Sequence, residues 1–251
     1  MKTLNTEKFK GKTALITGGS RGIGAAIAKR LAAEGAAVAF TYASSASKAD
    51  EVVKAIEAAG GRALAIKSDA AEASEVVQAV AETIKAFGSI DILVNNAAYL
   101  AVAPLNEFKL EDFDRSVAIN VRGVFVASQE AAKHMTEGGR IITIGSTNAE
   151  RMPFVGGGVY AMTKAAIVGL TKGLSRDLGP RGITVNNVQP GPIDTDMNPE
   201  SGPFAESLKA LMALPRYGHA DEVAAMVSYI AGPEAAFVTG ASLMIDGGFS
   251  A

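Results

Sequence analysis

Short apolar runs alternate along this chain with stretches whose apolar residues recur every three to four positions. Thr13-Ala14-Leu15-Ile16-Thr17 reads as a first strand, and Ile23, Ile27 and Leu31 then share one helical stripe that Gly35 ends. Ala37-Val38-Ala39-Phe40-Thr41 reads as a second strand, followed by a helix carrying Val52, Val53 and Ile56. Ala63-Leu64-Ala65-Ile66 is a third, with Val76, Val80, Ile84 and Phe87 lining the helix after it. Further strands are expected at Ile90-Asp91-Ile92-Leu93-Val94, at Ile141-Ile142-Thr143-Ile144, at Ile183 to Val188 and at Leu243-Met244-Ile245, with a long helix around Phe113 to Met135. The strands are nearly all apolar instead of alternating, the signature of a sheet covered by helices on both faces. The expectation is an α/β fold: a single-domain, doubly wound parallel sheet of about seven strands spanning residues 1–251. One stretch, about 198–219, breaks the rhythm with Pro199, Gly202, Pro203 and Pro215, and is expected to be an insertion over the sheet's edge that serves as a substrate lid.

Composition fits one large domain: 251 residues, 48% hydrophobic and 20% charged, which is globular and not disordered. A net charge of -2 with no basic block argues against nucleic acid or an anionic membrane as partner. The chain has no cysteine and two separated histidines, His134 and His219, so no thiolate chemistry and no metal site is expected. No apolar run approaches the length of a bilayer span, and Met1 to Lys10 resembles no signal peptide; a cytoplasmic protein is expected.

Three motifs carry chemistry. Thr17-Gly18-Gly19-Ser20-Arg21-Gly22-Ile23-Gly24 follows the first strand and opens a helix. Glycines 18, 22 and 24 allow a tight turn and close approach to a pyrophosphate, which the helix N-terminus then faces with its N–H groups and dipole. The spacing Gly-x-x-x-Gly-x-Gly differs from the common Gly-x-Gly-x-x-Gly. The second strand ends Thr41-Tyr42-Ala43-Ser44-Ser45 without the acid that usually holds the ribose 2′-hydroxyl of NAD, while Arg21 stands in the glycine loop near hydroxyls. NADP(H) is therefore expected over NAD(H), with Ser20, Arg21, Ile23, Tyr42 and Ser44 beside it. Finally, Tyr160 and Lys164 lie one helical turn apart, so a lysine charge can act on a phenol and make it a usable acid or base.

With these pieces the chain resembles the short-chain dehydrogenase/reductase family of classical type over nearly its whole length. The matching residues are the glycine loop, Asp69, Asn95-Asn96-Ala97-Ala98, Asn120, Ser146, Tyr160 with Lys164, and Pro190-Gly191. Ala98 departs from the family's more frequent glycine and adds a methyl near the cofactor. The resemblance implies that Tyr160 is the general acid in carbonyl reduction and that Lys164 lowers its pKa and holds the nicotinamide ribose. By the same resemblance Ser146 bonds the substrate oxygen and Asn120 anchors a water in a proton relay. It further implies that Asp69 and Ala70 meet the adenine, and that Asn95, Asn96 and Ala97 lie near its ribose. Pro190, Gly191, Ile193 and Thr195 would run along the nicotinamide.

Tyr99, Arg151, Met152, Phe154, Ile193, Phe204, Leu208, Met212 and Tyr217 are candidate substrate contacts by position, mostly apolar. Small residues on the Tyr160 helix (Ala161, Ala165, Ala166, Gly169, Gly173) allow close helix packing, and the resemblance implies that this helix meets its symmetry mate, hence a homotetramer or at least a dimer. The implied function is an NADPH-dependent carbonyl reductase. Two alternatives stay open. One is a 3-oxoacyl-[acyl-carrier-protein] reductase, for which Arg122, Lys133, Arg151 and Lys172 are candidate docking cations. The other is a cyclic-dinucleotide-binding protein, which members similar in the stretch Gln189 to Asp196 are described as being.

Overall fold

A computed structural model describes residues 7–251; most of the leader expectation, Met1 to Thr6, lies outside the described residues. The seven strands are β1 (Thr13–Ile16), β2 (Ala37–Tyr42), β3 (Arg62–Lys67), β4 (Ile92–Asn95), β5 (Arg140–Ile144), β6 (Thr184–Pro190) and β7 (Ser242–Ile245). They form one sheet in the order β3-β2-β1-β4-β5-β6-β7, and every pairing is parallel. The order reverses between β1 and β4, which places a crevice beyond their carboxyl ends.

Alternate residues of each central strand feed two separate cores, which explains the unbroken apolar runs. Ala14, Ile16, Val38, Phe40, Val94, Ile142 and Val188 pack against α1 (Gly22–Ala33) and α8 (Ala220–Ala231). Leu15, Ala39, Leu93, Ile141 and Val185 pack against α3 (Ala73–Phe87) and α5 (Val124–His134). Between β2 and β3 runs α2 (Ala46–Ala58), and α6 (Gly158–Leu178) crosses from β5 to β6.

The long helix expected from Phe113 to Met135 is instead α4 (Leu110–Val117), a wider π-helical turn (Ala118–Gly123) and α5. Gly123 allows that turn, because a Cβ there would sit 2.5 Å from the Ala70 carbonyl oxygen.

The stretch after β6 is a loop with a pinned neck. Ile193 bridges Gly218, and Thr195 pairs with Asn198. Beyond the neck, α7 (Ala205–Lys209) and the following turn bury Ala205, Met212 and Tyr217 against Phe249 of the C-terminal segment. Among the described residues no helix is long and apolar enough to cross a membrane.

Candidate active site

Three elements deliver the four catalytic candidates to the carboxyl ends of β4 and β5. Ser146 follows β5 and caps a short helical turn: its Oγ accepts from the Asn148 N–H at 3.1 Å. The same hydroxyl lies 3.3 Å from Asn148 Oδ1, a long bond it can exchange for a better acceptor. Thus the capping role and a role toward substrate coexist in one atom. Tyr160 and Lys164 stand on the first turns of α6, with Lys164 Nζ 5.6 Å from the Tyr160 ring centroid. Lys164 is buried and donates to the Ile144 carbonyl at 2.9 Å, which fixes it against the end of β5.

Electrostatics here departs from the sequence expectation. Burial pushes the Tyr160 phenol up to about 12, against a downward pull from the Ser146 hydroxyl. Burial alone brings Lys164 down to about 8. A low-dielectric site disfavours the charged form of each, so the phenolate that Lys164 was expected to favour loses to desolvation. The result is a phenol that holds its proton at neutral pH beside a lysine that titrates close to it.

Asn120 lies in the π-helical turn, buried, with both polar atoms of its side chain bonded to protein. Its Oδ1 accepts from the Tyr99 N–H at 2.8 Å, and its Nδ2 donates to the Tyr99 carbonyl at 2.9 Å and to Thr163 Oγ1 at 3.1 Å. The amide therefore ties the loop after β4 to α6, and only the second lone pair of Oδ1 is left for a water.

The glycine loop lies across the crevice at the reversal point. Gly18 and Gly22 take positive φ (68° and 54°). A Cβ on Gly24 would fall 2.3 Å from the Gly18 carbonyl oxygen and 2.5 Å from Asn96 Nδ2. Gly19, which the motif left unassigned, is required as well: its Cβ would meet the Phe40 side chain at 2.5 Å. Asn96 braces the loop by donating to the Thr17 and Gly18 carbonyls at 3.0 and 2.8 Å, while Thr17 Oγ1 accepts from the N–H groups of Asn96 and Ala97. Arg21 precedes α1, and no side chain caps that helix, so its first-turn N–H groups face the crevice. This bare, Cβ-free cradle at a helix N-terminus fits a dinucleotide pyrophosphate.

Asn95 is a correction. Its side chain turns under the sheet, donating to Ser128 Oγ at 3.1 Å with Thr143 Oγ1 at 3.5 Å, and is buried away from the crevice. Period-two alternation sends Asn95 and Asn96 to opposite faces. Asp69 stands after β3 with its carboxylate spent on the Ala71 N–H (2.9 Å) and Arg115 (2.9 Å). Burial raises its pKa, but these two bonds outweigh it and leave the group below the usual carboxylate range. Ala70, Tyr42 and Ser20 are half-buried along the same crevice, and Ser44 is exposed at its rim. Pro190 ends β6, and Gly191 lies so close to Asp246 that a Cβ would meet its backbone at 2.7 Å. A Cβ on Gly22 would come within 3.3 Å of the Thr195 methyl, so the loop after β6 covers the glycine loop.

The substrate candidates divide. Phe154 and Phe204 are exposed. Met212 and Tyr217 are buried in the loop's own small core, and Ile193 is buried at its neck, so all three are packing residues in this arrangement. Tyr99 donates its hydroxyl to Asp112 at 2.6 Å, which raises its pKa. Arg151 donates to the Phe249 carbonyl and stacks on that ring, tying the loop after β5 to the C-terminus. Asp246 completes this tie by accepting from Thr147, Gly248 and Ser250, a set the sequence reading missed because its members are scattered along the chain.

Known proteins share this sequence pattern and fold. Residues 18–250 match the family described as enoyl-(acyl carrier protein) reductase. A short-chain dehydrogenase/reductase from Serratia marcescens is 63% identical, with a TM-score of 0.96 over 97% of this chain and 100% of that one. A short-chain dehydrogenase from Burkholderia cenocepacia, solved in complex with NADP, is 54% identical, with a TM-score of 0.96 over 97% and 100% of the two chains. Among curated relatives, a cyclic-di-GMP-binding biofilm dispersal mediator protein of Escherichia coli is 49% identical over 97% of this chain and 99% of its own length.

Proposed function

The chain is a member of the short-chain dehydrogenase/reductase family of oxidoreductases, and from that premise we propose that it reduces a prochiral ketone to a secondary alcohol with NADPH. The observation that carries this reading is the convergence of Ser146, Tyr160 and Lys164 at the end of β5, beside a Cβ-free glycine cradle. The NADP complex of the Burkholderia relative supports the cofactor. The glycine loop and the start of α1 would hold its pyrophosphate, Arg21 and Ser44 its 2′-phosphate, Asp69 and Ala70 its adenine. Tyr160 and Lys164 would hold the nicotinamide ribose, with Gly191, Ile193 and Thr195 along the carboxamide. NADPH, when bound, supplies the hydride.

The chain's own residues supply position and protons. Ser146 Oγ turns its proton from Asn148 to the carbonyl oxygen, where negative charge grows. Tyr160, protonated at neutral pH, donates to the same oxygen. Lys164 opposes build-up of phenolate charge afterwards and returns a proton to Tyr160. Asn120 contributes by holding Tyr99 and Thr163 in register.

A pH dependence follows. Reduction needs Tyr160 protonated, which holds below about 12, and Lys164 charged, which holds below about 8. The kcat/KM for reduction, which reports the free enzyme, is therefore level on the acid side and falls as pH rises through about 8, tending to about tenfold per pH unit. Because reduction consumes one proton, alcohol oxidation rises with pH up to about 8 and levels above it. A reduction profile that stays level through that region would show that the lysine charge is not required.

Arg21→Ala is expected to raise the KM for NADPH more than that for NADH, since a guanidinium pairs with a phosphate dianion and not with a hydroxyl. Equal change for both cofactors would remove Arg21 from the 2′-phosphate site.

Plain ketones are favoured over carrier-bound thioesters because three of the four candidate docking cations are occupied. Arg122 donates to the Ala71 carbonyl, Arg151 to that of Phe249, and Lys133 pairs with Glu130. Following the absorbance of the reduced nicotinamide with small ketones, diketones, β-keto esters and acyl thioesters tests this ranking; faster turnover of thioesters would reverse it. The Escherichia coli relative motivates a second reading, cyclic-dinucleotide binding. Competition between a cyclic dinucleotide and NADPH in equilibrium dialysis would establish it beside catalysis.

Self-association is part of the proposal. Between α4, α5 and α6 lies an open groove of about 650 Å³ lined by Val121, Phe125, Ala166, Gly169 and Gly173. Phe125 is exposed there and both glycines face open space, so a second copy can approach the α6 backbone closely. Sedimentation at micromolar concentration is expected to give a dimer or tetramer, and a stable monomer would contradict it.

A further inference from the structure

Two cations from different walls of the crevice converge on one carboxylate oxygen. Lys48 Nζ, in the first turn of α2, donates to Asp196 Oδ2 at 2.5 Å, and Arg21 Nη1, from the glycine loop, stands 3.6 Å from the same atom. Asp196 belongs to the covering loop after β6, next to Thr195, so this cluster joins the neck of the 198–219 segment to the opposite side of the crevice. It sits at the end of β2 beside Ser44 and Ser45, where a doubly wound fold holds the 2′ position of the adenine ribose. All three side chains are about half exposed, and Lys48 holds the Asp196 carboxylate below its ordinary range, hence charged.

Resting on the NADPH reading, we propose that Asp196 is an anionic latch that occupies the 2′-phosphate subsite from within the chain, and that Lys48 is the second cation of that subsite. A carboxylate brings one negative charge, whereas a phosphate monoester brings about 1.5 to 2 and three acceptor oxygens. The phosphate therefore displaces Asp196 from both cations. Exposed ion pairs are individually weak, so the latch opens at small cost. Opening frees the covering loop from the α2 side, which couples recognition of the 2′-phosphate to movement of the loop over the substrate. A cofactor with a free 2′-hydroxyl leaves the latch closed.

The test is calorimetric binding of adenosine 2′,5′-bisphosphate and adenosine 5′-monophosphate to the full chain, neither of which reacts. The unaltered protein binds the bisphosphate more tightly. Asp196→Asn, which keeps shape and loses charge, tightens the bisphosphate by about two- to fivefold, the range of an exposed pair, and leaves the monophosphate unchanged. Lys48→Gln weakens the bisphosphate by a similar factor, and raised salt shrinks both effects. In limited proteolysis, the bisphosphate speeds cleavage within 198–219 in the unaltered protein, and Asp196→Asn is cleaved fast without it. If Asp196→Asn left bisphosphate affinity unchanged, or shifted both nucleotides equally, the latch would be wrong while the NADPH reading stood. Equal binding of the two nucleotides to the unaltered protein would remove the NADPH reading and the latch with it.

Discussion

Tyr160→Phe lowers kcat for ketone reduction by about 10²–10⁴-fold, the usual contribution of a positioned proton donor, while NADPH affinity stays nearly unchanged. The ring remains to pack at the start of α6, and only the proton and its bond toward Ser146 are lost. Because burial keeps the phenol protonated up to about 12, the unaltered enzyme has its acid in place across the neutral range. The drop in the variant is therefore uniform with pH below about 8, and only the limb set by Lys164 moves activity above it. Steady-state kinetics with a cofactor titration by fluorescence separates the two parts; near-normal turnover in the variant would remove Tyr160 from the chemistry.

Gly24→Ala is expected to weaken NADPH binding severely and to lower the melting temperature by several degrees. Its Cβ would meet the Gly18 carbonyl oxygen at 2.3 Å and Asn96 Nδ2 at 2.5 Å, and the first of these is backbone that cannot swing aside. Relief requires α1 to move from the loop or Asn96 to release the Thr17 and Gly18 carbonyls it holds. Overpacking of this kind costs about 1–3 kcal/mol, and a chain of this size loses about 2–4 °C per kcal/mol. By contrast, Gly169→Ala and Gly173→Ala, on helix α6 with nothing near their Cβ positions, leave the melting temperature of the isolated subunit nearly unchanged or raise it. Calorimetric scanning of the three variants checks the contrast. A Gly24→Ala protein with normal stability and cofactor affinity would show that the loop is looser than its contacts imply.

The sheet was legible because alternate residues of the central strands enter two cores, which keeps most of their positions apolar. The π-helical turn at Ala118–Gly123 was not, since a periodic stripe reads through a one-residue widening; the approach of Gly123 to the Ala70 carbonyl within it is a contact across the fold. In the site, Ser146, Tyr160 and Lys164 were identifiable from type and order. The sign of the Tyr160 shift was not, because it depends on burial. Asn95 and Asn96 were indistinguishable until strand phase assigned one to each face. Met212 and Tyr217 sit where substrate residues are expected in sequence, yet pack on Phe249, more than thirty residues away along the chain. Lys48 and Asp196 left no sequence signal, being 148 residues apart.

The central claim is carbonyl reduction from NADPH with Tyr160 as proton source, and isotope transfer tests it most directly. With NADPH carrying deuterium at the transferring C4 position and a ketone turned over by the protein, the alcohol is expected to carry that deuterium on its carbinol carbon, with Tyr160→Phe forming almost none. An alcohol without the label, or equal labelled product from Tyr160→Phe, would contradict the account.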